Sequence, residues 1–147
     1  MKPILNSSYA PATPFSYGAG HVFPSRALDP GLVYDMTVVD YLDFLCALGY
    51  NATAMRTMNR GSFVCPATPM SLHDLNYPSI TAHGLPAGTT TMVRRRLKNV
   101  GLPGTYTAAV VEPEGMHVSV IPAMLVFRET GEEKEFDVIV TVSDRAP

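Results

Sequence analysis

The fold class of this chain is decided by Glu135-Phe136-Asp137-Val138-Ile139-Val140-Thr141-Val142. Phe136 and the valines alternate with mostly polar residues, which is the two-residue period of a strand with one buried face. β-branched residues dominate the run, and they pack well on a pleated sheet surface. The run therefore predicts a half-buried β-strand.

Similar runs occur upstream, rich in Val, Thr, Tyr and Ile and separated by Gly and Pro. The strand candidates are residues 89–98, 105–111, 117–121, 124–128 and 135–142. Several short strands at this spacing predict an antiparallel β-sandwich. The expected fold class is therefore mainly β.

A helical pattern precedes the strands. Thr37 and Asp40 have the spacing of a capping pair, and apolar residues then recur at helical spacing until Gly49, a natural stop. The prediction is a helix over about residues 38–48 and a second short helix over residues 52–58, capped by Asn51.

Two tight corners are indicated near the N-terminus by Pro14-Phe15-Ser16-Tyr17-Gly18-Ala19-Gly20-His21-Val22-Phe23-Pro24 and the following Asp29-Pro30-Gly31. Pro30 fixes φ, and Gly31 is free to take φ > 0. Residues 14–35 are expected to form turns and short extended pieces. Residues 1–13 lack periodicity and are expected to form a linker or tail.

The run from Pro14, closed by residues 28–35, resembles the segment that ends the catalytic domain of plant-type subtilisin-like serine proteases, the subtilases. More strings follow in that family's order and approximate spacing. They are Asp40 to Cys46, Gly49-Tyr50, Cys65-Pro66, Asp74 to Ile80, Asn99-Val100-Gly101 and Gly104-Thr105-Tyr106. The resemblance covers residues 13–142.

The resemblance implies two parts after the linker. Residues 14–69 would be the C-terminal end of a subtilisin-like α/β catalytic domain, with one or two helices. Residues 70–147 would be a fibronectin type III-like antiparallel β-sandwich. The family continues with further strands and a Trp-containing segment, whereas this sequence has no Trp. We therefore expect an incomplete, truncated sandwich.

The catalytic residues of the family are not expected in this chain. A subtilase needs an Asp, a His and a Ser from distant parts of the chain, with a side-chain amide in the oxyanion hole. Its nucleophile lies in a Gly-Thr-Ser string followed by Pro-His, which this sequence lacks, and Ser62 is flanked by Phe63. No catalytic residue and no cofactor are expected here, whereas the intact parent would resemble a serine endopeptidase.

Two other groups of polar residues are better explained without catalysis or metal binding. Ser71, His73 and Asp74 are too close in sequence to converge as nucleophile, base and orienting acid, so a turn is expected there. The four histidines lack carboxylates or cysteines at ligand spacing, so ordinary polar roles are favoured over a metal site. They are His21, His73, His83 and His117.

The two cysteines lie 19 positions apart, and this spacing alone leaves a disulfide and two free thiols equally open. The family resemblance implies a Cys46–Cys65 bridge, because the two cysteines match a pair that is bridged in secreted subtilases. Two sequons, at Asn6 and Asn51, would accept N-glycans in a secretory pathway.

The chain has 147 residues, 46% of them hydrophobic, and a net charge of −2. That charge gives no general attraction to nucleic acid or to an anionic membrane. No apolar run approaches the ~20 residues that span a bilayer. Met1-Lys2 leads into Pro3-Ile4-Leu5-Asn6-Ser7-Ser8 without the apolar h-region of ~7–15 residues, so no signal peptide is expected in this chain.

The one dense charge cluster is Arg94-Arg95-Arg96 with Lys98. On a strand, Arg94, Arg96 and Lys98 share one face, and Arg95 points to the other. A solvated sheet face is favoured over a polyanion site, because the chain lacks a broad positive field. The acidic partners on offer are Glu112, Glu114, Glu129, Glu132, Glu133 and Glu135.

The resemblance implies a noncatalytic C-terminal portion of a secreted subtilisin-like serine endopeptidase, located for the intact parent in the apoplast or cell wall. It would brace the catalytic domain, in cis or in trans, and help shape substrate access. An alternative is a free-standing protein-binding module from a truncated gene, acting as a decoy or folding partner of full-length subtilases, and a further one is a degenerate product without function. An exposed sheet edge would also permit self-association.

Overall fold

The computed structural model describes residues 4–18, 20–59, 61, 63–81 and 84–144. The chain divides into two compact units, Met1–Pro30 and Gly31–Pro147. The boundaries expected at residues 13 and 69 stay predictions. Across the described residues, no helix is long and apolar enough to cross a membrane.

The first unit contains a tight turn and two single-turn helices. Leu5 and Pro11 form an antiparallel bridge that encloses the turn. The helices are α1 (Pro14–Tyr17) and α2 (Pro24–Ala27), and both begin at a proline. They differ from the turns and extended pieces expected over residues 14–35, and proline at the first helical position was the overlooked signal.

The second unit opens, after a two-residue strand, with the helical segment, defined as residues 37–65. Its helices are α3 (Val38–Ala47) and α4 (Ala52–Met58). Thr37 Oγ1 accepts from Asp40 N–H at 3.3 Å, and Asp40 Oδ2 accepts from Thr37 N–H at 2.6 Å. Asn51 Oδ1 accepts from Ala54 N–H at 3.0 Å. Both predicted helices and both caps are confirmed.

A small apolar core holds the helical segment together. Leu42, Cys46 and Met55 are buried in one cluster, and the half-buried Leu45 and Phe63 pack against it. Cys46 and Cys65 form a disulfide with their Cα atoms 5.7 Å apart. The segment is thus closed covalently around a core of a few side chains.

The remainder of the second unit is built from two antiparallel sheets. One sheet has the strand order β1-β2-β6-β4, and the other pairs β3 with β5. The strands are β1 (Leu32–Val33), β2 (Thr90–Asn99), β3 (Gly104–Thr107), β4 (Met116–Ile121), β5 (Met124–Phe127) and β6 (Glu133–Val142). The prediction of a mainly β, antiparallel fold is confirmed.

Four of the predicted strands start and end close to where they were expected. β3 is the exception, because it ends at Thr107 and not at Val111. One more hydrogen bond follows, from Ala108 N–H to Ala123 O, and the partner then turns through Pro122 into β4. The strand is shorter than predicted because its partner ends.

A polar junction between the helical segment and the β-sandwich

We define the polar junction as Asp35, Asp74, Asn76, Arg95 and Arg96. It lies along one edge of β2, whose other edge pairs with β6 from Thr90 to Lys98. On the junction side, β1 pairs only with Lys98 and Asn99. Next to this pairing, the edge at Arg94 and Arg96 meets side chains from residues 74–76 where a neighbouring strand would otherwise lie.

Two side chains of the junction bind backbone donors on the edge of β2. Asp74 Oδ1 accepts from the N–H of Arg94 at 2.8 Å, and Asn76 Oδ1 accepts from the N–H of Arg96 at 2.7 Å. Backbone donors on one side of a strand recur every second residue, so a two-residue spacing of acceptors matches them. The Asp74-Leu75-Asn76 string therefore continues the ladder of β1 with side chains and protects the edge.

Asn76 also connects this edge to the chain just before the helical segment. Its Nδ2 donates to the backbone carbonyl of Asp35 at 3.1 Å, and the residue is only 7% exposed. One amide therefore binds the chain before α3 and the backbone of β2 at once. Its removal would leave the half-buried Arg96 N–H and Asp35 carbonyl without these partners, which is costly.

Arg95 is buried on the opposite face of β2 from Arg94 and Arg96, with 4% of its surface exposed. Its Nε donates to Tyr77 O at 2.8 Å, and its Nη1 donates to His73 O at 2.6 Å. Nη1 and Nη2 also donate to Arg94 O and Ser79 O. One guanidinium thus fixes the backbone of residues 73–79 through carbonyl groups, because its planar fork offers several donors.

The charge of Arg95 has no carboxylate in a salt bridge within the described residues. Burial lowers the pKa of Arg95, while the charge of nearby Asp74 and of Tyr34 acts to raise it. Burial likewise raises the pKa of Tyr34, and the charge of Arg95 opposes that shift. These shifts follow from desolvation and describe a structural cation held by backbone dipoles.

The outer face of β2 carries ion pairs. Arg96 lies 3.6 Å from Asp40 and 3.2 Å from Glu133, and Lys98 lies 2.8 Å from Asp35. Arg94 and Asp137 are 3.0 Å apart. The predicted division of the basic cluster between two faces is confirmed. Of the predicted acidic partners, Glu133 forms an ion pair with this face. Its other partners, Asp35, Asp40 and Asp137, were not predicted.

The contact between Arg96 Nε and Glu133 is a close approach of charges and not a well-aligned hydrogen bond. The distance is 3.2 Å, yet the buried Nε–H finds no acceptor in line with it. Arg96 Nη2 instead donates to Asp35 O at 3.4 Å. Arg96 therefore joins the loop before α3, α3 itself and β6 mainly by electrostatic attraction.

Ser71, His73 and Asp74 form a turn, as expected. Residues Leu72–Asp74 make a single 3₁₀ turn, and the Asp74 carboxylate and His73 carbonyl are both engaged with β2. Among the histidines, His117 Nδ1 lies 2.6 Å from Glu112 Oε1, and His21 is exposed. No three His, Cys, Asp or Glu side chains in the described part of the chain could hold a metal ion. His83 and Ser62 lie outside the described residues.

A second polar site was missed by the sequence analysis. Asn99 is fully buried at the end of β2, where its Nδ2 donates to Leu102 O and Glu129 O and its Oδ1 accepts from Gly101 N–H. Gly31 lies next to this corner with φ +71°, and a Cβ there would approach the Tyr106 hydroxyl at 2.8 Å. The Asn99-Val100-Gly101 string therefore forms a hydrogen-bonded corner.

Both sequon asparagines are exposed, and both use the side-chain oxygen locally. Asn6 Oδ1 accepts from the N–H groups of Ser8 and Ala10, at 2.9 and 3.0 Å. Asn51 Oδ1 caps α4, as described above. Glycosylation at these positions stays a prediction at this point.

Comparisons with known proteins agree with this geometry. Residues 74–147 match the family model of the fibronectin type-III domain. From Arabidopsis thaliana, the subtilisin-like protease SBT5.3 is 49% identical over 96% of this chain, and SBT5.4 is 50% identical over 92%. The CO(2)-response secreted protease of the same plant is 37% identical over 95%. The chain spans only 18%, 17% and 19% of these relatives, and the match is to their C-terminal region.

Proposed function

The chain belongs to the fibronectin type-III domain family and is homologous to the C-terminal region of plant subtilisin-like proteases, and on this premise we propose that it braces the catalytic domain of such a protease. It would be the noncatalytic C-terminal portion of a secreted serine endopeptidase and would help shape access of the substrate. The intact enzyme would cleave peptide bonds through a serine acyl-enzyme, without an organic cofactor.

The polar junction is the observation that carries this proposal. The family resemblance assigns the helical segment to the end of the catalytic domain, and the structure holds that segment and the sandwich in one compact unit. Asn76 joins the edge of β2 to Asp35, just before the segment, through directional hydrogen bonds, and Arg96 pairs with Asp40 of α3. Such contacts fix orientation, so the sandwich would resist movement of the end of the catalytic domain.

Exposed apolar residues on the helical segment support a catalytic domain as the partner. Val38, Val39 and Tyr41 occupy the first turn of α3 and are exposed, Val38 to 69%. Val64, beside the disulfide, is also exposed. Exposed apolar side chains favour protein contact, and the rest of a protease to which the chain is joined, in cis or in trans, is the occupant that we propose.

A secreted location for the parent is supported by the disulfide. Disulfides persist in oxidising compartments and are rare in the cytosol. Cys46 and Cys65 are bridged here, and one homologue is named a secreted protease. We propose an extracellular parent, in the apoplast or cell wall.

The test is a set of three secreted proteins made from one plant subtilisin-like protease. The first is intact, the second lacks the region that matches this chain, and the third carries residues 1–147 of this chain in its place. The proposal predicts that the deletion loses secreted activity and that the third protein regains most of it. A deletion protein as active and heat-stable as the intact enzyme would contradict the proposal.

A second candidate function is a free-standing protein-binding module, and the unequal widths of the two sheets favour it. The four-stranded sheet is accompanied by the two-stranded sheet of β3 and β5, and a cavity of about 240 Å³ is lined by residues of both sheets. Its wall includes Leu97, Leu125 and Phe136. Because Ala108 N–H donates to Ala123 O, the alternating pattern turns the N–H groups of Thr105 and Thr107 away from β5.

We propose that this edge accepts a strand from a second copy of the chain, since only an extended backbone offers matching donors and acceptors. Sedimentation at micromolar concentration should then find dimers. Thr105→Lys with Thr107→Lys should weaken them, because lysine protects sheet edges. A monomer at all concentrations would rule out self-association through this edge and leave the brace untouched.

A further inference from the structure

We propose that Asn51 is a site of N-linked glycosylation and that the start of α4 therefore faces solvent in the assembled protein. Asn51-Ala52-Thr53 is a sequon, which requires an asparagine amide and a hydroxyl two residues later. This inference rests on the proposed secretory route, and it adds a modification and an orientation that the brace alone does not imply.

The surface at Asn51 has room for a glycan. Residues 48–53 are all exposed, so the sequon lies in an uninterrupted solvent-facing stretch between α3 and α4. Asn51 has extended backbone angles, φ −81° and ψ 168°. A sugar attached there would leave the buried side chains of Leu42 and Met55 undisturbed.

Helix capping and glycan attachment use different atoms of the Asn51 side chain. Oδ1 accepts from Ala54 N–H and caps α4. Nδ2 makes no hydrogen bond with the described part of the chain, and it is the atom to which a glycan is joined. A glycan on Nδ2 retains Oδ1 as an acceptor, so the modified residue still caps the helix.

The disulfide that supports the secretory route also surrounds Asn51. Asn51 lies inside the loop that Cys46 and Cys65 close. Disulfides form in the oxidising lumen through which secreted chains pass, and N-glycans are added in that same lumen. Disulfide formation and glycosylation of this loop would therefore take place in the same compartment.

In the glycosylation reaction, an oligosaccharide is transferred to Asn51 from a lipid diphosphate donor. The bond between sugar C1 and the diphosphate oxygen breaks, and a bond forms between C1 and Asn51 Nδ2. The lipid diphosphate leaves with the electron pair of the broken bond. One Nδ2 proton passes to a base of the oligosaccharyltransferase, and nothing is oxidised or reduced.

The test uses the 147-residue chain secreted from plant cells behind a supplied signal peptide. Without reductant, trypsin should leave residues 27–56, which carry Cys46 and Asn51, linked to residues 61–94, which carry Cys65, so one linked peptide reports the bridge and the glycan. A peptide-N-glycosidase that accepts plant glycans converts a glycosylated Asn51 to Asp. The inference predicts this conversion in the major fraction of the secreted chain.

Matched variants distinguish loss of the glycan from loss of the α4 helix cap. Thr53→Ala and Asn51→Asp should each abolish the glycan while α4 keeps a capping oxygen, whereas Thr53→Ser should retain it. An unmodified Asn51 in secreted, bridged chain would overturn the inference and leave the brace standing. Free thiols at Cys46 and Cys65 in the secreted chain would instead count against the secreted parent. In the protease that carries residues 1–147 in place of its own C-terminal region, the active molecules should carry the glycan. If only molecules without the glycan are active, the solvent-facing orientation is wrong.

Discussion

The helical segment and the polar junction are held together in different ways. In the helical segment, the contacts join residues near in sequence, such as Thr37 with Asp40, and the longest is the Cys46–Cys65 bridge over 19 positions. In the junction, Asn76 reaches Asp35 across 41 positions. The helical segment can therefore form locally, whereas the junction exists only once β2 has formed. A substitution in one region should therefore destabilise that region without unfolding the other.

The largest effect is expected where the junction loses its buried cation. Arg95→Met should cost about 4 kcal/mol, because it leaves the carbonyls of His73, Tyr77 and Ser79 without their donor. Urea unfolding of the chain measures the loss. Arg94→Met is the control, since Arg94 is exposed and should shift the midpoint little. Equal shifts for both would show that the buried arginine does not hold the junction.

The next effect tests the helical segment alone. Replacing Cys46 and Cys65 by Ser should cost about 3 kcal/mol on the chain-entropy model for a loop of this size. The loss should be local, so hydrogen exchange should quicken in α3 and α4 while β2 and β6 keep their protection. Equal loss of protection from exchange in α3, α4, β2 and β6 would mean that the two regions unfold together.

The smallest effect concerns Asp40, which lies in the helical segment and pairs with Arg96 of the junction. Burial acts to raise the pKa of Asp40, but hydrogen bonds from Thr37 and the charge of Arg96 outweigh it and lower the pKa below 3.8. The carboxylate therefore stabilises the fold above that value, and the contribution is lost as the pH falls through the lowered folded-state pKa.

Asp40→Asn should cost about 1 kcal/mol at neutral pH, the usual size of a helix-cap contribution. The difference from the wild type should vanish in acid, because the wild-type carboxyl is then protonated too. Unfolding midpoints measured from neutral to strongly acidic pH test this. A difference that stays constant with pH would rule out a charged cap.

Local patterns were enough to predict the helical segment. Thr37, Asp40, Asn51 and Gly49 act on neighbours within a few residues, and the strand alternation of β6 is read directly from its sequence. These signals depend on periodicity and capping, which a short window contains.

The junction could not be predicted in this way, because no window holds both Asn76 and Arg96. The signal that was available is the two-residue spacing of Asp74 and Asn76, which equals the period of the strand edge that they protect. Arg95 was assigned correctly to the other face of β2, but its burial depends on carbonyls 16–22 residues away. The spacing of Asp74 and Asn76 does not by itself identify the distant strand that they bind.

The most direct test of the account is the effect of Asn76→Ala on the heat stability of the protease that carries this chain in place of its own C-terminal region. Asn59→Ala, outside the junction, is the matched control. The account predicts that Asn76→Ala shortens the half-life of peptidase activity at elevated temperature several-fold while kcat and KM at low temperature stay the same. A half-life that is unchanged, although the same substitution destabilises the isolated chain, would contradict the claim that the junction braces the catalytic domain.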